Sequence, residues 1–161
     1  MNAPRPVGAP RPIAEMLWLD YLKYARSGAN AESSKLGFAL NILSECQMML
    51  RKYSEAEKHL RESLAVYRAT QPDSLMRYDT ESRLAGALTA QRKFKDAEPL
   101  ALSAHNGLSA LADKLARRFE LDALERLIEL YDAWDKVEEA AKWRRKLDEQ
   151  KKAAKPGAQR Q

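Results

Sequence analysis

The sequence predicts an all-α protein, a solenoid of about three helical hairpins preceded by an N-terminal capping helix. Composition favours helix, because 45% of the 161 residues are hydrophobic, 32% are charged and only six are glycine. Three segments also share one order of residue types: "RKYSEAEKHL" at 51–60, "RKFKDAEPLA" at 92–101 and, more faintly, "DKVEEAAKWR" at 135–144. A period of about 40 residues that holds two helices is typical of helical solenoids.

Equivalent positions of the three units agree in residue type as well as in spacing. They are Leu43, Leu84 and Leu127; Tyr53, Phe94 and Val137; and Ala56, Ala97 and Ala140. The intervals are 41 and then 43 residues. The leucines are expected to face the core, and the alanines are expected to let the two helices of a pair approach closely.

The predicted domain organisation follows from these repeats. Prolines at four of the first twelve positions predict a disordered tail. The segments in order are a tail at 1–12, a capping helix at 13–28, a repeat domain at 30–150 with repeats at 33–73, 74–115 and 117–150, and a basic flexible tail at 151–161. Gly28 is expected to stop the capping helix, Asn30 to cap the next one, and a turn is expected near 112–117.

Several local signals predict where helices begin. Ser54 and Glu57 have the spacing of a capping box, in which each side chain binds a free backbone N–H of the first turn. Asp73 or Ser74 is expected to cap the helix that follows the "TQPDS" break. Pro99 is expected in the opening turn of its helix, where a missing N–H costs least.

Bulk properties narrow the class of protein. A single cysteine excludes an internal disulfide, and the N-terminus carries no apolar segment of the kind that a secretory signal needs. The apolar stretch at 13–25 is too short and too charged to span a membrane. The net charge is +5, and residues 136–161 alone carry +5. These features predict a soluble, cytoplasmic protein whose basic excess lies at the C-terminal end.

No set of residues predicts catalysis, a bound metal or a cofactor. His59 and His105 fall in different repeats with no cluster of cysteine or carboxylate around them, so both are expected to be surface or half-buried structural residues. Cys46 lies on an apolar stripe and is expected to be a small core residue. No acid and base can be paired, and we therefore expect that the chain is not an enzyme.

The first unit resembles a known repeat family. The segment "ALNILSECQMMLRKYSEAEKHLRESLAVYRATQPDS" at 39–74 resembles the long tetratricopeptide repeat of the kinesin light chain type. The later units are similar to helical repeats found C-terminal to bacterial serine/threonine kinase domains, although no kinase motif occurs in this chain. The resemblance covers about residues 36–150. It implies a right-handed superhelix, a bacterial source and a concave face that binds protein partners.

Two departures from the family pattern lead to further expectations. The family usually has glycine just after the first helix of each repeat, where this chain has Arg51, Arg92 and Asp135. A non-glycine residue in a left-handed conformation costs about 1 kcal/mol, so these turns are expected to differ in shape from the family's. A clamp for a terminal carboxylate is not expected, because acidic residues such as Glu45 and Asp122 occupy the matching positions.

The face of each first helix that turns inward is the expected partner-binding groove. Its predicted residues are Phe38, Asn41, Glu45, Met48, Met49, Arg83, Thr89, Asp122, Glu125, Arg126, Glu129 and Asp132. Adaptable methionines at one end and carboxylates at the other would suit a basic or amphipathic segment of another protein. The alternative is that these are ordinary solvated positions or, for the two methionines, contacts of the N-terminal helix.

Both ends of the chain leave alternatives open. The N-terminal helix is apolar on more than one side, so it could cap a monomeric solenoid or join two chains in a weak homodimer. The apolar residues are Ile13, Met16, Leu17, Trp18, Leu22 and Tyr24. The basic end at 142–160 could instead serve as an adaptor for nucleic acid or an anionic membrane. This second function is the less favoured, because Trp143 is its one aromatic residue and acidic residues interrupt it.

Overall fold

Seven α-helices form the described part of the chain, which comprises residues 11–27, 33–111 and 114–153 of a computed structural model. They are α1 Arg11–Ser27, α2 Ser33–Met49, α3 Tyr53–Thr70, α4 Leu75–Ala90, α5 Phe94–Ala110, α6 Lys114–Ala133 and α7 Val137–Ala153. These ranges contain no strand, so the predicted all-α class is confirmed. The predicted roles of Gly28 and Asn30, and most of both predicted tails, fall outside the described residues.

The helices are arranged as a solenoid of stacked pairs. Helices α2 and α3, α4 and α5, and α6 and α7 each form a pair joined by a three-residue turn, at 50–52, 91–93 and 134–136. Each pair packs on the next through α3 with α4 and through α5 with α6, while α4 also contacts α6 directly. Helix α1 packs on α2 and covers the first pair, as predicted.

The core contains the leucine and alanine positions that recur in the sequence. The exposed fraction is at most 1% for Leu43, Leu84, Leu127, Ala56, Ala97 and Ala140. The buried alanines let the helices pack closely, because a methyl group takes up little space between them. Each buried leucine contributes about 1.5–3 kcal/mol of transfer free energy. The same residues that establish the period therefore hold the pairs together.

The third recurring position behaves differently in the last repeat. Tyr53 and Phe94 are half-buried, and the Phe94 ring stacks on Trp134 of the next pair at 5.6 Å between centroids. Val137, expected to face inward, is 71% exposed. The expectation is wrong because this position packs against the following pair, and no described helix follows α7.

The turn within each helix pair contains one residue in the left-handed backbone conformation, although the sequence predicts a turn whose shape differs from that of the family. Arg51, Arg92 and Asp135 have φ values of 59°, 60° and 59°. In each turn the N–H of the next lysine donates to the carbonyl five residues earlier, from Lys52 to Gln47, Lys93 to Leu88 and Lys136 to Tyr131, at 2.8–2.9 Å. This is the Schellman arrangement, which satisfies carbonyls that the helix end leaves free. The expected difference in turn shape is therefore wrong, and three non-glycine residues adopt a costly backbone conformation.

Glycine at these positions should stabilise the protein. Replacing Arg51 and Asp135 together with glycine should raise the free energy of unfolding by about 1 kcal/mol, because relief of left-handed strain exceeds the added entropy of the unfolded chain. Urea denaturation measures the change. Lys136→Gly is the matched control, because Lys136 does not have a positive φ, and this variant should be destabilised. Equal effects at positions 135 and 136 would contradict the role given to the backbone conformation.

The predicted capping box of α3 does not form. The helix begins at Tyr53, and its N-cap residue Lys52 makes no side-chain capping bond. Ser54 Oγ instead donates to Gln91 Oε1 at 3.3 Å, and the Glu57 carboxylate accepts from Gln91 Nε2 at 2.9 Å. The spacing is the same as in a capping box, but both side chains reach the next pair.

The same glutamate position connects successive units along the solenoid. Glu57 binds Lys93 Nζ at 2.7 Å, and Glu98 binds Lys136 Nζ at 3.4 Å. In α1, Glu15 binds Lys52 Nζ at 2.7 Å. In each case the lysine follows the left-handed residue of the next turn, so one ion pair recurs from unit to unit.

This recurrence indicates that α1 corresponds to the second helix of a repeat. Ala14 precedes Ala56 by 42 residues, and Ala14 is buried like its counterparts. Glu15 follows Ala14 as Glu57 follows Ala56. The sequence predicts only a capping helix or a dimer surface here, because the "AE" pair of α1 lacks the basic and aromatic residues that introduce the motif elsewhere.

Other local expectations have mixed outcomes. Ser74 is the N-cap of α4, and its side chain accepts from the Arg77 N–H at 3.2 Å, as predicted. Pro99 is the sixth residue of α5 and so lies beyond the opening turn, which makes that expectation wrong. The turn expected near 112–117 is also placed too late, because α6 begins at Lys114.

Candidate partner-binding groove

A groove of about 1000 Å³ lies on the face formed by the first helices of the three pairs, α2, α4 and α6. Of the twelve residues predicted for this surface, seven line the groove: Glu45, Met48, Arg83, Thr89, Asp122, Arg126 and Glu129. Further lining residues come from the start of α3 and from the first two turns of α6. Partner binding by this surface remains a prediction.

Arg83 lies at the centre of the groove and is held in place by two carboxylates. Its Nε donates to Asp79 Oδ2 at 2.7 Å, and its Nη1 donates to Glu45 Oε2 at 2.9 Å. Burial alone would lower the pKa of Arg83, but Asp79 and Glu45 raise it. The guanidinium is therefore charged and already paired with two carboxylates. It links Glu45 of α2 to Asp79 of α4.

The α6 side of the groove carries charges of alternating sign. In sequence order they are Arg118, Asp122, Arg126 and Glu129, at helical spacing. Arg126 Nη1 donates to Ser82 Oγ at 3.1 Å. Within the described chain, no ion pair joins any of these four side chains to a counter-charge. Charged groups that face a concave surface without a counter-charge can form ion pairs with a bound partner.

Apolar side chains lie beside these charges. Met48 of α2 lines the groove together with Phe119 and Leu115 of α6, and Leu115 is 56% exposed. Gly86 and Ala90 of α4 also line the groove, where Gly86 has no side chain and Ala90 has only a methyl group. The surface therefore combines apolar anchoring positions with available charges of both signs.

Three predicted groove residues lie elsewhere in α2. Asn41 is only 2% exposed, because its Nδ2 donates to Thr80 Oγ1 at 2.8 Å and its Oδ1 accepts from Ser63 Oγ at 2.9 Å. The Phe38 ring contacts the Trp18 ring of α1 at the end of the solenoid, with the two ring centroids 6.0 Å apart. Met49 is 43% exposed but does not line the groove. The inner face of α2 begins later along the helix than the sequence analysis placed it.

The predicted acidic end of the groove is wrong. Glu125 binds Lys151 Nζ at 2.9 Å, and Asp132 binds Arg144 Nη2 at 2.5 Å, so both carboxylates face α7. Asp122 and Glu129 remain in the groove, where Arg118 and Arg126 accompany them. Residues four apart share a helix face, and the prediction placed residues from two adjacent faces of α6 on one surface.

The groove residues absent from the prediction include Arg92 and, from α6, Leu115, Arg118 and Phe119. Leu115 was expected in an inter-repeat turn near 112–117, although α6 extends through it. The spacing of the three α6 residues to Asp122 and Arg126, in steps of three and four, was the available signal. Arg92 was considered only as a turn residue, but its guanidinium lies 5.3 Å from the Phe94 ring at the groove's edge.

A buried histidine on the opposite side of the molecule joins the last three helices. His105 of α5 is 1% exposed and packs edge-on against Trp143, with the ring centroids 5.2 Å apart. Its Nε2 lies 2.6 Å from Lys146 Nζ, and its Nδ1 lies 3.8 Å from Glu120 Oε1. An ammonium group can only donate, so Nε2 accepts and the ring proton is on Nδ1. The expectation that His105 is a surface or half-buried residue is wrong, because its side chain is fully buried.

This environment should make stability depend on pH. Burial and then the Lys146 charge lower the pKa of His105 from its ordinary value of 6.5, against a smaller opposing effect of Glu120. As pH falls below 6.5 the unfolded chain takes up a proton before the folded chain does, so folding stability decreases in this range. We expect His105→Gln to weaken this pH dependence in urea denaturation between pH 7 and pH 5. The slope that remains would arise partly from His59, whose pKa burial also lowers, and an unchanged slope would contradict the assignment.

The remaining candidate chemistry has structural explanations. Cys46 is 5% exposed, as predicted for a core residue, and burial, followed by Glu45 and Glu15, raises the pKa of its thiol. His59 is half-buried, and its Nδ1 lies 2.9 Å from Gln47 Oε1. Among the described residues, no group of three or more potential ligands could hold a metal ion.

The basic residues of α7 contact other parts of the chain. Arg144 and Lys151 pair with carboxylates of α6, and Lys146 contacts the buried histidine. These contacts turn three of the cations in this helix toward the solenoid. No helix in the described ranges is both long and apolar enough to cross a membrane.

The fold and the groove together define a class of protein, the helical-repeat solenoid with a concave face. No family model matches the chain, and no curated protein matches its sequence. Among solved structures it is similar to BtubC (BKLC) from P. vanneervenii, with a TM-score of 0.59 and 14% sequence identity over 98% of this chain and 80% of that chain. At this identity the likeness shows the fold alone.

Proposed function

We propose that this protein is a non-catalytic interaction module, a scaffold or adaptor that binds a segment of another protein in the groove of α2, α4 and α6. The observation that carries the proposal is the α6 side of the groove, where Arg118, Asp122 and Glu129 make no ion pair with any residue of the described ranges and lie beside apolar side chains. Charges left in that state can be paired by a partner. The similarity to a tetratricopeptide-type solenoid supports this class of function.

The chemistry of the groove favours an amphipathic partner. Apolar anchors would contact Met48 and Phe119, and charges of both signs would pair with Arg118 and Glu129. A purely basic partner is less well supported, because Glu125 and Asp132 already bind α7.

The repeats themselves support a finer assignment. The resemblance of residues 39–74 to the long tetratricopeptide repeat supports this assignment, and the left-handed turns lie where that family usually has glycine. The single buried cysteine, which cannot form an internal disulfide, is consistent with work in the cytoplasm.

A groove variant tests the proposal. Leu115→Asp combined with Glu129→Lys changes two exposed groove residues, and pull-down of the native partner should weaken at least tenfold. The matched control makes the same changes outside the groove, Val137→Asp with Glu138→Lys, and should retain full capture. Circular dichroism confirms that both variants fold.

Two results would contradict the groove. Equal capture by the groove variant and the control would show that the partner binds elsewhere. Capture that falls steeply with salt and depends on nucleic acid would favour the adaptor function of the basic C-terminal end, because phosphate binding releases counterions.

A further inference from the structure

The outer face of α1 is the largest cluster of exposed apolar side chains in the described chain. Six of the nine exposed large hydrophobic residues lie on it or at its edge: Ile13, Met16, Leu17, Leu19, Tyr24 and Phe38, with exposed fractions of 37–55%. Its charged residues, Asp20 and Lys23, bind each other at 3.0 Å. We call this surface the α1 face.

The place of α1 in the solenoid indicates what the α1 face is built to contact. Glu62 of α3 accepts a hydrogen bond from Arg26 of α1. Position 62 of α3 therefore contacts α1, which corresponds to the second helix of a repeat. The residue 42 positions earlier in α1 is Asp20, and the counterpart of His59 is Leu17. The α1 face therefore occupies the stacking surface of a repeat, with apolar residues where α3 has polar ones.

Exposed stacking surfaces of repeats bury their apolar area against another helical surface. The opposite end of this solenoid cannot supply it. On α7, Val137 is the exposed large hydrophobic residue, and Glu138, Glu139, Lys142 and Arg145 surround it with charge. A head-to-tail contact between two copies would set the α1 face against these charges.

We propose that the α1 face joins two copies of this chain in a twofold symmetric dimer. A twofold contact places the same surface of each copy on both sides of the interface. Such a contact can bury the apolar side chains of the α1 face without adding a net charge, because Asp20 and Lys23 neutralise each other within each copy. In an antiparallel pairing of α1 with its copy, Leu17 lies near the axis and Ile13 of one copy lies opposite Tyr24 of the other.

The size of the α1 face sets the strength of the dimer. Six partly exposed large side chains on each copy bury on the order of 1000 Å² in total, at the low end of specific interfaces. An interface of this size is typical of weak, transient association. The dimer leaves the groove of α2, α4 and α6 free, so two partners can bind one dimer.

Analytical ultracentrifugation of the full chain from about 1 to 300 µM tests the proposal. The weight-average mass should rise from that of one chain toward twice that value. Leu17→Glu should remain a monomer throughout. Val137→Glu, the same change at the other end of the solenoid, should dimerise as the unaltered chain does.

A conservative variant guards against a fold defect in Leu17→Glu. Leu17→Cys adds an exposed thiol near the twofold axis, while the native Cys46 is buried. Mild oxidation should link Leu17→Cys into covalent dimers, and Val137→Cys should give at least tenfold fewer. A monomer at every concentration would overturn the proposal, whether residues 1–10 or a different protein covers the α1 face. Dimerisation that survives Leu17→Glu, or equal linkage through Val137→Cys, would overturn it as well.

Discussion

Replacing Glu81 with leucine is expected to lower the free energy of unfolding by about 3 kcal/mol, because it removes the anionic partner of a buried charge cluster. The Glu81 side chain is fully buried. Its carboxylate accepts from Arg68 Nη2 at 2.9 Å, from Arg77 Nη2 at 3.0 Å and from Ser103 Oγ at 2.7 Å. These bonds join α4 to both α3 and α5, so their loss should affect the whole solenoid.

The measurement is thermal or urea denaturation followed by circular dichroism. A loss of about 3 kcal/mol corresponds to a decrease of roughly 6–12 °C in Tm for a chain of this size. Glu81→Gln keeps the shape and some hydrogen bonds and should lose less. Glu138→Leu, an exposed glutamate on α7, should change stability by no more than about 0.5 kcal/mol. A Glu81→Leu variant as stable as Glu138→Leu would contradict the role given to the cluster.

Adding one methyl group at Gly107 is expected to destabilise the protein by about 1–2 kcal/mol. A Cβ atom there would lie 2.0 Å from Cε1 of Tyr78, so the ring would have to move. The Arg77 guanidinium lies over that ring at 4.4 Å, which ties the ring to the buried charge cluster. Overpacking of this kind costs about 1–3 kcal/mol, partly offset by about 1 kcal/mol of helix propensity.

Gly86 provides the opposite control within the same fold. A Cβ atom at Gly86 would lie 3.5 Å from Arg126 Cδ, an ordinary contact, so Gly86→Ala should stabilise the chain by about 0.5–1 kcal/mol. Removing the ring with Tyr78→Ala should also reduce the cost of Gly107→Ala, since the clash disappears. A cost that is unchanged in the Tyr78→Ala background would show that the ring is not its cause.

The repeat architecture could be predicted because its determinants recur. Leu43, Leu84 and Leu127 keep their interval and their burial, and a periodic core residue identifies a helix face from sequence alone. The left-handed turns were harder to predict. Arg51 and Arg92 are poor residues for such a conformation, and it is the tertiary packing of each pair that imposes the turn.

The candidate groove was only partly predictable, for reasons that concern particular side chains. Glu45 and Arg83 line the groove as predicted, because they lie within two residues of the periodic leucines Leu43 and Leu84. Glu125 was misplaced because its ion pair with Lys151 depends on how α7 packs, and no local pattern encodes that packing. Phe119 was missed because neither glycine nor proline marks the break before α6.

The role of α1 was missed for a different reason. Ala14 and Glu15 repeat the close-contact and ion-pair positions of the later units, but a pair of residues is too short a motif to detect in one sequence. Only the contact between Glu15 and Lys52, seen beside that between Glu57 and Lys93, reveals the shared plan.

Hydrogen-exchange mass spectrometry of the chain with and without its captured partner tests the central claim, that the groove is the binding surface. Binding should slow exchange in the segments that line the groove, which are the second half of α2, the C-terminal half of α4 and α6. Exchange in α7 should not change. Protection confined to α1 or α7, with the groove segments unaffected, would contradict the proposed function.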